Sequence, residues 1–233
     1  MHQKSEVFSA SDCSELRTDP AHIHRYSSSQ NIRDLVEIGI VFTLILIAVW
    51  TPPGRVNAFV SISAAACVVA FALAGRWSAR ELGLRRPRAG LGSTVLAGAI
   101  LCGAIVLIGI PVRFAGAGRS LPLGRSWQYV VWALAQEFIL QGIFFVRLES
   151  LVGSRRAVLA AAALFTIVHI PSPLLTLLSL CGGILFCEVF RRFRNLYPLG
   201  IIHGALGLTI AATLPDHWLH HMRVGIGYLR FHG

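Results

Sequence analysis

Charge is scarce in this sequence. Asp, Glu, Lys and Arg make up 14% of its 233 residues, against about 25% in a soluble domain. So few charges cannot cover a water-exposed surface. They also exclude a disordered chain, which is polar and charge-rich. Lysine is nearly missing, with Lys4 alone, so the basic residues are almost all arginine. Cysteine occurs at positions 13, 67, 102, 181 and 187 with no CxxC pair. Four of these lie inside apolar runs and read as buried small hydrophobes rather than a disulfide framework. There is no HExxH, no repeat of roughly 20–50 residues, and no pair of matched broken helices of the transporter kind. The first 33 residues lack the apolar core of a signal peptide.

Apolar residues, in contrast, make up 55% of the chain, and the mean hydropathy is +0.64. A spanning helix needs about 20 such residues, or a few less within a bundle. Seven runs come close: Leu35–Trp50, Val56–Gly75, Leu91–Ile110, Trp127–Val146, Ala157–Ile170, Leu174–Phe190 and Leu196–Leu214. Between them lie loop signals rich in Pro, Gly and Arg, such as Thr51-Pro52-Pro53-Gly54, Arg85-Arg86-Pro87-Arg88 and Pro171-Ser172-Pro173. The expected fold is all-α, a polytopic transmembrane bundle of about seven spans. A polar cytoplasmic tail (1–33) precedes the membrane domain (34–214), and a short C-terminal tail (215–233) follows it. Small residues in the second, third and fifth runs suit close helix packing in lipid.

The net charge of +10 sits in short clusters between the runs. That is a topology signal rather than a nucleic-acid stripe. With the N-terminus cytoplasmic and all seven runs spanning, 15 of the 21 basic residues fall inside and 6 outside. The expectation is N-terminus in, C-terminus out, in a membrane such as a bacterial inner membrane.

Ionisable residues within spans are costly and usually face a cavity or a partner. Glu37, in the first turn of its run, can reach headgroups or pair with Arg33 four residues before it. Glu188 lies three and four residues before Arg191 and Arg192, so a local ion pair explains it. Glu137 is different. It is mid-run, with no Arg or Lys within a helical turn, beside Gln136 and four residues before Gln141 on its own face. A carboxyl flanked by two amides implies a polar pocket. His169, four residues after Phe165, closes the fifth run, and His203 is internal to the seventh. One carboxylate and two histidines on three spans supply a general base, a second proton carrier and donors for an oxyanion. His203 is expected somewhat deeper than Glu137 and His169, so tilt or stagger must bring the three together. The C-terminal Asp216-His217-Trp218-Leu219-His220-His221 string reads as interfacial residues, with metal or substrate binding as its other reading.

Three strings carry a resemblance: Gln136-Glu137-Phe138-Ile139-Leu140-Gln141-Gly142, Phe165-Thr166-Ile167-Val168-His169 and His203-Gly204-Ala205-Leu206-Gly207. In this order they resemble EExxxR, FxxxH and HxxxN of the CAAX-protease and bacteriocin-processing (CPBP, or Abi) family of intramembrane proteases. Leu82-Gly83-Leu84-Arg85-Arg86-Pro87 and Arg194-Asn195-Leu196-Tyr197-Pro198 are also similar to the family. The resemblance covers about residues 80–214. It implies a helical bundle that is a metal-independent, glutamate-type endopeptidase without cofactor, acting on a membrane-anchored peptide or protein. Glu137 and His169 would activate water, and His203 would help stabilise the oxyanion. Gln136, Gln141, Phe165 and Gly207 would support them. Gln136, Gln141 and Gly207 depart from the motifs' glutamate, arginine and asparagine, so base work falls on Glu137. The Gln-Glu pair with a downstream Gln resembles a bacterial subgroup linked to C-terminal sorting tags of secreted proteins.

Two other functions fit the same residues. One is an inactive family member that binds a peptide or partner in the same cavity. The other is a zinc-dependent hydrolase with His169, His203 and Glu137 as ligands.

Overall fold

The computed structural model describes residues 28–85, 87–112 and 126–230. Among them all regular structure is helical: α1 (Ser28–Trp50), α2 (Arg55–Ala74), α3 (Leu91–Val112), α4 (Ser126–Glu137), a π-helical segment (Phe138–Phe145), α5 (Val146–Val152), α6 (Ser154–Ile167), α7 (Pro173–Phe193), α8 (Leu196–Thr213), α9 (Asp216–Leu219) and α10 (Gly225–Leu229). Each expected run corresponds to one helical rod. α4, the π segment and α5 form a single rod of 27 residues. The polar tail expected over 1–33 lies mostly outside the described residues, and α1 already begins at Ser28.

Five rods are long and apolar enough to cross a membrane: α2, α3, the Ser126–Val152 rod, α7 and α8. The chain is a multi-pass integral membrane protein. Five of the seven expected runs meet that measure, and the other two, α6 and α1, do not. α6 has 14 residues, or about 21 Å at 1.5 Å per residue, short of a hydrocarbon core of about 30 Å. α1 carries Arg33, Asp34 and Glu37 in its first half. Its buried carboxylates are neutralised by arginines from elsewhere. Asp34 pairs with Arg76 and accepts from the Ser150 hydroxyl at 2.9 Å. Glu37 binds Arg33 at 2.8 Å, as its spacing implies, and Arg147 at 2.6 Å.

The arrangement of α8 fixes the site. Gly200, Gly204 and Gly207 face Leu134, Val130 and Tyr129 of α4, so the two helices run antiparallel. A Cβ at Gly200 would lie 2.3 Å from the Leu134 side chain, and one at Gly204 would lie 3.1 Å from the Val130 backbone. On its other side, Ile202 and Thr213 of α8 fill notches at Gly98 and Gly109 of α3. This is close packing through small residues, the arrangement that joins helices in lipid. Gly183 of α7 meets Ala162 of α6 in the same way.

The start of α8 is pinned by the two further strings of the family resemblance, which meet in space. Asn195 caps α8 through Tyr197 N–H, and its amide donates to the Pro87 and Ala89 carbonyls, both at 2.9 Å. Leu196 N–H donates to the Gly83 carbonyl, and Tyr197 Oη to that of Leu84. Gly83 has φ +75° and sits against the Phe190 ring, where a Cβ would lie 2.5 Å away. The π segment forms the centre of the core: Leu140, Ile143, Phe144 and Phe145 are all buried. A stretch whose one polar side chain is Gln141 suits that position.

Candidate active site

Glu137 is the last residue of α4 and is fully buried. One carboxyl oxygen lies 2.9 Å from His203 Nδ1. The other accepts from Gln141 Nε2 at 3.1 Å. The antiparallel α4–α8 seam explains the first contact. Side chains point back toward the N-terminus of their own helix, so those of Glu137 and His203 approach each other. The expected difference in depth is absorbed by this stagger. The second contact joins residues four apart across the start of the π segment.

His169 closes α6. Its Nδ1 lies 2.7 Å from the Phe165 carbonyl. A carbonyl only accepts, so Nδ1 carries the proton, and in the neutral ring Nε2 holds the lone pair. The Phe165 ring connects the two histidines: its centroid is 4.7 Å from that of His169 and 6.0 Å from that of His203. Phe186 of α7 stacks on the other side of His203 at 5.4 Å. Glu137, Gln141, Phe165, His169 and His203 thus form one cluster drawn from three rods, with Phe186 of α7 adding a fourth. Gln136 is half-buried and hydrogen-bonds none of them. Gly207 is a notch filled by Tyr129, whose hydroxyl lies 2.2 Å from where a Cβ would stand. An asparagine at 207 would not fit without moving that ring.

Among the described residues no three His, Cys, Asp or Glu side chains are grouped to hold a metal. Glu137 and His203 face each other in a hydrogen bond rather than turning toward a common ion, as zinc ligands at about 2.0–2.2 Å would. The C-terminal string is used internally. His221 pairs with Asp216 at 3.2 Å, and the His220 ring packs on Tyr228 at 4.3 Å.

Sequence reasoning missed several supports of the site. Arg147 directly follows the fourth run, where counting basic residues puts it among the 15 on the cytoplasmic side, yet it is fully buried. Its apolar neighbours Phe144, Phe145, Val146 and Leu148 were the available signal. Phe186 reaches the site from α7, and Tyr129, about two turns before Glu137 on the same rod, fills the notch at Gly207; no local pattern marks either. Glu188 is as expected, paired with Arg191 at 2.7 Å and Arg192 at 2.8 Å.

The fold and cluster define a membrane-embedded helical bundle with a buried Glu–His pair. Residues 120–209, which hold the whole cluster, match the family model described as type II CAAX prenyl endopeptidase Rce1-like. Over this segment the chain is similar to the protease family that the three motifs resemble. No curated protein and no solved structure gives a significant match to the chain.

Proposed function

We propose that this protein is an intramembrane glutamic-type endopeptidase, and that Glu137 is its general base. The observation that supports this most is the 2.9 Å contact between Glu137 and His203 inside the family-matched segment. Peptide hydrolysis needs a deprotonated water, a stabilised oxyanion and a protonated leaving amine. Each Glu137 oxygen uses one lone pair on His203 or Gln141 and keeps another for water. In the proposed step Glu137 takes a proton from water as the hydroxide adds to the scissile carbonyl. His203, held through Nδ1, presents Nε2 to the oxyanion and donates there when the ring carries both protons. His169, with its lone pair at Nε2, passes the proton from Glu137 to the departing amine. The products are one carboxylic acid and one amine, which ionise to carboxylate and ammonium on release, and the site returns to its starting state.

The substrate class is a membrane-tethered peptide or protein. The matched family's description points to a prenylated C-terminus, and the Gln136-Glu137 subgroup resemblance to C-terminal processing of secreted proteins. The distribution of basic residues supports a cytoplasmic N-terminus in this reading, in a membrane such as a bacterial inner membrane. A second reading, binding without cleavage, draws on Gln136, Gln141 and the filled notch at Gly207.

The experiment incubates purified protein in bicelles with farnesylated CAAX peptides and with lipid-tethered C-terminal peptides, and reads products by mass. Cleavage that disappears in Glu137→Gln supports the protease reading. Saturable peptide binding with no product would favour the second.

A further inference from the structure

The rod that carries Glu137 changes register immediately after it. Phe138–Phe145 is π-helical, and its last bond runs from Val146 N–H to the Gln141 carbonyl, five residues back. α5 then resumes the four-residue register. That switch passes over one carbonyl, Gly142. A buried carbonyl inside a bundle surrounded by lipid cannot turn to water.

Arg147 supplies the missing donor. Its Nη1 lies 2.7 Å from the Gly142 oxygen. The same guanidinium reaches Glu37 of α1, with Nε at 2.7 Å and Nη2 at 2.6 Å. Nη2 also lies 3.2 Å from the Phe71 carbonyl of α2. One planar fork therefore joins the π segment to two other rods. Lysine, a point charge on a flexible stem, cannot serve these three partners in fixed directions.

We propose that Arg147 is a positioning residue for the site. By holding the Gly142 carbonyl it maintains the π register. A π residue advances less around the axis than an α residue, so this register sets the offset between Glu137 and Gln141, and hence their 3.1 Å hydrogen bond. Through Glu37 and Phe71, Arg147 anchors that register to α1 and α2. The inference rests on the proposed proteolytic reading only for its activity readout.

The test is Arg147→Lys in full-length purified protein, with Arg76→Lys as a control at the Asp34 ion pair. Hydrogen exchange is followed by mass spectrometry over 138–147. The Gln141 side-chain amide is followed by NMR in 15N-glutamine-labelled protein, assigned by its loss in Gln141→Leu. In Arg147→Lys the thermal midpoint stays near that of the control. The amides of 142–146 exchange at least tenfold faster, and the Gln141 amide loses its protection. Turnover falls with KM unchanged, a split that a purely structural contact would not produce. The proposal is overturned if exchange and the Gln141 signal match wild type, or if exchange rises no more over 138–147 than elsewhere. Should Arg147→Lys not fold, Glu37→Gln leaves Arg147 on both carbonyls and removes its anchor to α1. Selective acceleration over 142–146 of threefold or more is then expected, and wild-type exchange overturns the proposal. If no peptide is cleaved even by wild type, the protease reading fails, while exchange and the Gln141 signal still decide the role of Arg147.

Discussion

Two buried glutamates, Glu37 and Glu137, differ in what surrounds them, and that difference predicts opposite consequences of mutation. Glu37 faces Arg33 and Arg147. Glu137 faces a histidine and an amide. Glu137→Gln keeps the shape, and it keeps both contacts once the Gln141 amide turns to accept from the new NH2, with each charge-assisted hydrogen bond becoming a neutral one. That change is worth about 1 kcal/mol per bond, and it is offset because no charge is buried any longer. Stability should therefore move by about 1 kcal/mol or less, roughly 2–4 °C in thermal midpoint for a chain of this size. Turnover loses the proposed general base, about 10²–10⁴-fold, or roughly 3–5 kcal/mol of barrier at 1.36 kcal/mol per tenfold. Arg147→Met does the reverse to stability. It leaves the Glu37 carboxylate with only the half-exposed Arg33 and strands the Gly142 carbonyl. Removing one partner of a buried pair costs about 3–5 kcal/mol, or roughly 10 °C. Intrinsic tryptophan fluorescence during heating reads the first quantity, and product mass in bicelles reads the second. Wild-type cleavage by Glu137→Gln would refute the base assignment. A loss of thermal stability in Glu137→Gln equal to that of Arg147→Met would make Glu137 a structural residue.

Gln141→Leu removes the donor to Glu137 while filling similar space, so it should reduce turnover about tenfold, the worth of one hydrogen bond to a charged group, at near-normal stability by the same two assays. Gly207→Asn should destabilise by about 1–3 kcal/mol through overpacking against the Tyr129 hydroxyl. Adding Tyr129→Ala should recover part of that loss in a double-mutant cycle, and strictly additive effects would contradict the contact. Prolonged chelation should leave cleavage intact, because in the proposed mechanism Glu137 takes the water proton. Activity lost to a chelator and restored by zinc would move the metal reading to first place.

The rods were legible in the sequence because lipid imposes a length and a composition on each one locally. Leu91–Ile110 and Leu196–Leu214, for example, fall within a few residues of α3 and α8. The Glu188 ion pairs were legible for the same reason, being matters of three- and four-residue spacing. Glu137 and His203 could be named as members of one site because an ionisable residue amid apolar ones requires a partner. Nothing in the spacing, however, said that His203 would hydrogen-bond Glu137 directly. That contact depends on the glycine seam of α8 against α4, and Gly200, Gly204 and Gly207 acquire their meaning only opposite Leu134, Val130 and Tyr129. Arg147 was illegible for a sharper reason. Charge counting assigns arginines to loops, and an arginine whose charge is cancelled by a carboxylate 110 positions away looks the same in sequence as one in water. The π register is equally hidden, since it changes which carbonyl each amide meets without altering the apolar pattern. Here the two hidden features account for each other: the register leaves the Gly142 carbonyl open, and the buried guanidinium closes it.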